Sequence, residues 1–156
     1  MRFILIDRVL SLTPGSAIVT AKSLSLAEEY LADHFPTFPV LPGVLLLEGL
    51  VESATWLVRR STDFAHSMVL LKQAGNVKYK SFLAPGSRIE YTVTAKALEA
   101  DASSFSGYGE ADGERIVEAR FALRHFNLAD RDPVMAMVDK NVIESMRQRW
   151  RLLSNE

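Results

Sequence analysis

Prolines at 36, 39 and 42 stand directly before the most apolar stretch of this chain, and that junction constrains the fold more than any other feature. A proline fixes its own φ at about −65° and drives the preceding residue out of the helical region, so His34 to Leu41 must run as a stiff, extended loop. Pro42 falls where its missing N–H costs nothing, at the first position of a helix. VLLLEGLVESATWLVRR carries that helix to Arg60, with Gly49 as its one weak point. Val44, Leu45, Leu46, Leu47, Leu50, Val51, Ala54, Trp56, Leu57 and Val58 leave it apolar around most of its circumference. Glu48, Glu52, Thr55 and Arg59, spaced by four, three and four, share one narrow polar stripe. A helix of this kind must be wrapped by other structure.

Strand-like runs supply the wrapping. The segment from Arg2 to Leu10 reads as a first strand, Thr13-Pro14-Gly15 as a turn, and Ala17 to Ala21 as a second strand. After the helix come runs at His66–Lys72, Asn76–Ser81, Arg88–Leu98, Ser103–Glu110 and Arg115–Phe126. Ala84-Pro85-Gly86, Ala100-Asp101 and Ala111-Asp112-Gly113 part the later ones, the last a good hairpin turn. Many strands, short turns and one nearly buried helix give an α+β arrangement, an antiparallel sheet curved around the helix. Ser25 with Glu28 has capping-box spacing and predicts a short helix over 25–32. Beyond Asn127 a polar turn leads into an amphipathic helix over 134–153. Its Met135, Val138, Val142, Met146 and Trp150 share a face suited to the parent domain or a partner subunit. The chain thus divides into a main domain, 1–126, and a C-terminal helical extension, 127–156.

Length and charge narrow the function. At 156 residues the chain is one domain's worth of sequence, and 18 basic against 19 acidic side chains give a formal net charge of −1, with no global pull toward nucleic acid or an anionic membrane. The absence of cysteine excludes a disulfide framework, an iron–sulfur cluster, a thiolate zinc site and a cysteine nucleophile. Three well-separated histidines make a poor metal centre, so none is expected. Only four consecutive apolar residues precede Asp7, too few for a signal-peptide core, and no stretch is long enough to span a bilayer. A cytoplasmic protein is therefore expected.

The chemistry concentrates in the proline loop and the helix that follows. His34 can take or give a proton near neutral pH, and Glu48, on an otherwise apolar helix, is costly to ionise and suits a proton donor. The first N–H groups of a helix have no internal acceptor, so Pro42-Gly43-Val44 offers donors to an incoming carbonyl, and Gly43 allows close approach. A base, an acid and such a donor suit abstraction of a proton beside a thioester with loss of a β-hydroxyl.

The run Asp33-His34-Phe35-Pro36-Thr37-Phe38-Pro39-Val40-Leu41-Pro42-Gly43-Val44-Leu45-Leu46-Leu47-Glu48 resembles the active-site segment of the 3-hydroxyacyl-acyl-carrier-protein dehydratases, HFPxxPVxPGVLxxE, with the His-to-Glu spacing kept. Phe3 to Leu10 is similar to the family's first strand, and Asn76 to Gly86 to its VKFxxPVxPGD segment. The likeness covers roughly residues 2 to 126. The resemblance implies the hotdog fold and a homodimer, with assembly of dimers into a hexamer open. It implies an active site in which His34 of one subunit faces Glu48 of the other. His34 would be the base at C2, Glu48 the donor to the departing hydroxyl, and the Gly43 N–H the polariser of the thioester carbonyl. No cofactor is implied; the substrate arrives on the phosphopantetheine of acyl carrier protein or coenzyme A. Phe35, Pro42, Val44, Tyr79 and Phe82 are the further candidates for substrate contact.

Departures from the pattern bear on substrate and activity. Asp33 replaces the usual glycine before the histidine and is expected to favour a protonated imidazole. Glu52 replaces a glutamine one turn after Glu48, and two carboxyls at i,i+4 do not both ionise easily. The family's HRYP stretch is missing, and Ser87 stands where the family has the Asp of PGD. Lys72, Lys78, Lys80 and Arg88 form a basic run suited either to docking an acidic carrier protein or to a solvated strand face. His66 and His125 read as ordinary surface or edge residues. Two other functions remain open at this point: a hotdog thioesterase using Glu48 or Glu52 to activate water, and a non-catalytic acyl-carrier-binding paralogue.

Overall fold

Alternation is strongest in the second half of the chain, and the sheet is built from it. In the computed structural model, which describes residues 3–156, six strands form one antiparallel sheet in the order β1-β2-β4-β5-β6-β3. They are β1 (Arg8–Thr13), β2 (Ala17–Ser23), β3 (Met68–Tyr79), β4 (Arg88–Leu98), β5 (Ala102–Ala111) and β6 (Glu114–Phe126). On β5 every second residue is buried. On β6, Val117, Ala119, Phe121, Leu123 and His125 all face inward. The helix α1 (Gly43–Ser61) lies in the concave face, with Leu50, Ala54, Leu57 and Val58 against Ile18, Ile89, Tyr91, Val93 and Leu123. This is the hotdog arrangement. A second helix, α2 (Ala136–Ser154), closes one side of the same chain, where the Trp150 ring lies 6.0 Å from that of Trp56 on α1, tilted by 44°.

Gly49 explains how the sheet comes so close to α1. A Cβ there would sit 2.4 Å from Cζ of Tyr91, whose ring is fully buried on β4, so only glycine leaves room for it. The buried polar groups of α1 pair locally. Ser53 meets Thr20 of β2 at 2.8 Å, and Arg59 donates to the carbonyls of His66 and Ser67 at 2.8 and 3.0 Å, not to a glutamate of its own stripe. Burial pushes the Arg59 guanidinium down to about 10.

Several expectations are corrected. The helix expected over 25–32 is a single 3-10 turn, Glu29–Leu31: Ser25 Oγ accepts from Ala27 N, and Glu28 is drawn away to Lys22 at 2.6 Å, so no capping box closes. The first strand begins at Arg8; Phe3–Asp7 is not strand, and Arg2 lies outside the described residues. The two short runs at 66–72 and 76–81 are one strand, β3, whose register slips at Leu71/Gln73 and at Gly75/Lys78, where Asn76 takes φ +50°. These are bulges, which bend a strand without ending it. Pro42 precedes α1 as its N-cap and is not its first residue. His125 is buried, its ring 4.9 Å from that of His66, because the inward alternation of β6 persists to its end.

On α2 the buried stripe runs through Asp139, Ile143, Met146, Trp150 and Leu153, leaving Val138 exposed. The helix is rotated by its docking residue. Asp139 accepts from Leu128 N at 2.9 Å, Ala129 N at 2.8 Å and the Ser67 hydroxyl, and those three donors pull it inward.

Candidate active site

The proline loop is non-helical as expected, but it is not extended throughout, because a turn forms at Pro36-Thr37. Phe38 N donates to Phe35 O at 2.8 Å, closing a turn at Phe35, which takes φ +48°, and Leu41 N donates to Leu83 O at 2.8 Å, tying the loop to the segment after β3. A non-glycine residue in the left-handed region costs energy that the surrounding contacts must offset, and here it presents the neighbouring His34. The His34 and Phe35 rings lie 4.4 Å apart. Both line a cavity of about 440 Å³ with Gly43, Leu46, Tyr79 and Phe82.

Each wall has a distinct role. Gly43 sits at the N-terminus of α1, where its N–H has no helical acceptor, and the Tyr79 ring packs 3.3 Å from where a Cβ on Gly43 would stand. Partial desolvation raises the Tyr79 hydroxyl above its ordinary value. Phe82, 70% exposed, meets Phe38 edge-on at 5.7 Å and forms an apolar lip. The cavity therefore joins an imidazole, a helix N-terminus and an apolar mouth. Val44 is 67% exposed on the first turn of α1, and Pro42 is half-buried behind it; neither lines the cavity.

Glu48 does not line this cavity either; within one protomer it is exposed on α1. The apolar flank of the helix still desolvates its carboxyl and raises it above the ordinary glutamate value. One turn on, Glu52 is half-buried and held from two sides. Its Oε1 accepts from Arg149 Nη2 at 2.8 Å and its Oε2 from Leu5 N at 3.3 Å. Burial leaves the Glu52 carboxyl above its ordinary value, although Arg149 and the Leu5 N–H pull it part of the way back. Asp33 is exposed beside His34.

The basic run does not gather into a free patch. Lys78 and Lys80 share Glu118 at 3.6 and 3.0 Å, Arg88 pairs with Glu90 at 3.0 Å, and Lys72 stands apart on β3 beside Arg124. Sequence reasoning missed Arg149, because nothing in an amphipathic C-terminal helix marks which of its arginines meets a carboxylate 97 residues away. Among the described residues no cluster of His, Asp and Glu is placed to hold a metal ion, and no helix is long and apolar enough to cross a membrane.

Comparison with known proteins gives the family and the fold. Residues 1–120 match the FabA-like domain. The 3-hydroxyacyl-[acyl-carrier-protein] dehydratase FabZ of Cereibacter sphaeroides is 34% identical over 122 residues, covering 77% of this chain and 79% of the relative. The enzyme of the same name from Oleidesulfovibrio alaskensis is 32% identical over 130 residues, covering 82% and 84%. Among solved structures, a chain of the dehydratase heterocomplex ApeI:P from Xenorhabdus doucetiae superposes with a TM-score of 0.70 at 15% identity, over 85% of this chain and 90% of that one. The C-terminal helix lies beyond the residues that the family match covers.

Proposed function

Since the chain belongs to the FabA-like family of 3-hydroxyacyl-acyl-carrier-protein dehydratases, we propose that it removes water from a 3-hydroxyacyl thioester, carried by acyl carrier protein, to give the trans-2-enoyl thioester. The observation that supports this reading is one cavity lined by both His34 and Gly43, an imidazole beside the first residue of α1. With the thioester oxygen on the Gly43 N–H, charge developing on that oxygen meets the positive end of α1. The His34 imidazole takes the C2 proton, the C2 electron pair forms the new double bond, and the C3–O bond breaks. Glu48 gives its proton to the departing hydroxyl, which leaves as water. Imidazolium and carboxylate remain, and proton return through solvent restores both. The reaction balances without an oxidant or reductant.

The acid comes from a second subunit on this reading, His34 of one protomer working with Glu48 of the partner subunit. Three features support a homodimer: Glu48 is exposed and outside the His34 cavity, β3 is a sheet edge, and Leu70, Leu71, Tyr79 and Phe82 are exposed apolar groups on or beside that edge. An uncovered apolar edge strand favours pairing with another chain.

Purified protein given 3-hydroxyacyl thioesters of carrier protein and of coenzyme A should form the enoyl product, and His34→Ala should lower kcat about 10²–10⁴-fold, the range for loss of a general base. Release of free thiol without enoyl product, or an unchanged rate in His34→Ala, would overturn the assignment.

A further inference from the structure

The stripe of α1 carries two carboxyls one turn apart, and the proposed reaction needs the proton on Glu48. Burial alone would put it on the other one. The Glu52 side chain is 16% exposed, whereas Glu48 is open in the protomer, and the more deeply buried carboxyl is the costlier to ionise. A site left to burial would thus hold its proton one turn away from where it is used.

The surroundings of Glu52 work against that order. Both of its oxygens face donors, Oε1 the Arg149 guanidinium at 2.8 Å and Oε2 the Leu5 N–H at 3.3 Å. A protonated Glu52 would set an O–H against an N–H on one side. The other groups facing it are the Trp56 indole N–H and Glu48 on α1, and the Tyr91 hydroxyl of β4. None of the three is a cation, so Arg149 alone supplies compensating charge. Glu48 enters no ion pair and accepts no side-chain hydrogen bond among the described residues. Arg149 is itself well fixed: α2 is anchored by the buried Asp139, and the guanidinium lies 6.0 Å from the Trp56 ring.

We propose that Arg149 is a positioning residue that decides which carboxyl of the α1 stripe carries the proton, holding Glu52 as the anion and leaving the proton on Glu48. The C-terminal helix is then part of the catalytic apparatus although it contributes no group to the reacting atoms. This inference rests on the dehydratase reading, in which Glu48 is the acid.

The test has two independent readouts. Carboxyl ¹³C titration of the whole protein, assigned with Glu48→Gln and Glu52→Gln, should show Glu52 ionising before Glu48, and the order should reverse in Arg149→Met. In kcat/KM against pH, Arg149→Met should move the basic limb to lower pH, with about tenfold loss near neutral pH for each unit of movement. Arg149→Lys should retain most of the wild-type limb. Arg149→Met/Glu52→Gln should share the limb of Arg149→Met, since an amide and a protonated Glu52 alike leave no anion beside Glu48. A lower Tm in Arg149→Met with an unmoved limb and an unchanged order of ionisation would make Arg149 merely structural and overturn the proposal, as would a double variant whose limb lies well below that of the single one. If the wild-type protein dehydrates nothing, the dehydratase reading fails, and the titration order still decides the role of Arg149.

Discussion

Gly49 shows how far a single residue's propensity can mislead. In the middle of an exposed helix, glycine costs about 1 kcal/mol relative to alanine, so a Gly49→Ala change would ordinarily stabilise α1. Here the added methyl would stand 2.4 Å from Cζ of Tyr91, a ring with no freedom to retreat. Overpacking of a filled core costs about 1–3 kcal/mol. The net expectation is a loss of up to about 2 kcal/mol on chemical denaturation, and a raised stability would show that the ring can move. The pairing of Glu52 with Arg149 has the same character, since its partner is chosen by tertiary structure and not by neighbours in the chain.

The element that most depends on one ionisable group is α2. Desolvation works against the Asp139 carboxylate, yet the Ser67 hydroxyl and the N–H groups of Ala129 and Leu128 outweigh it and hold the carboxyl below its ordinary value. A depressed carboxyl contributes stability that is complete above the unfolded value of 3.8 and is lost as pH falls through the lower folded value. Acidification below about 3.8 should therefore release α2, seen as a change in tryptophan fluorescence as Trp150 leaves Trp56. Asp139→Ala should lower Tm and remove that acid step altogether; persistence of the step would place its origin elsewhere. Much else at this scale could be read in advance. The bounds of α1, β4, β5 and β6 follow from prolines, turn dipeptides and strict alternation, signals that are local. The fusion of two runs into β3 and the collapse of 25–32 to one turn could not be read, because a bulge and a diverted Glu28 are settled by the pairing of distant segments.

For the molecule as a whole, the decisive question is where a complete active site lies. His34, Gly43 and their cavity belong to one protomer, and the sequence locates them because the proline loop and the start of α1 are contiguous. On the two-subunit reading, Glu48 acts in the partner's cavity. Mixing inactive His34→Ala with inactive Glu48→Gln should then restore activity. Random exchange makes half the dimers mixed, each with one intact site of two, so about a quarter of wild-type activity should return. No recovery under conditions where exchange is demonstrated would place both groups within a single chain.

The contact between Glu52 and Arg149 also sets an order in time. The two residues are 97 positions apart, so at about 5–20 residues per second Glu52 is synthesised roughly 5–20 s before the arginine that neutralises it. A sheet that closed before residue 149 was made would cover a carboxylate with no cation to meet it. A hotdog core assembled during synthesis must keep this corner wet, or bind a proton there, until α2 arrives. On the proposed role of Arg149, birth of the chain and readiness of its acid are separate events, divided by the docking of one helix.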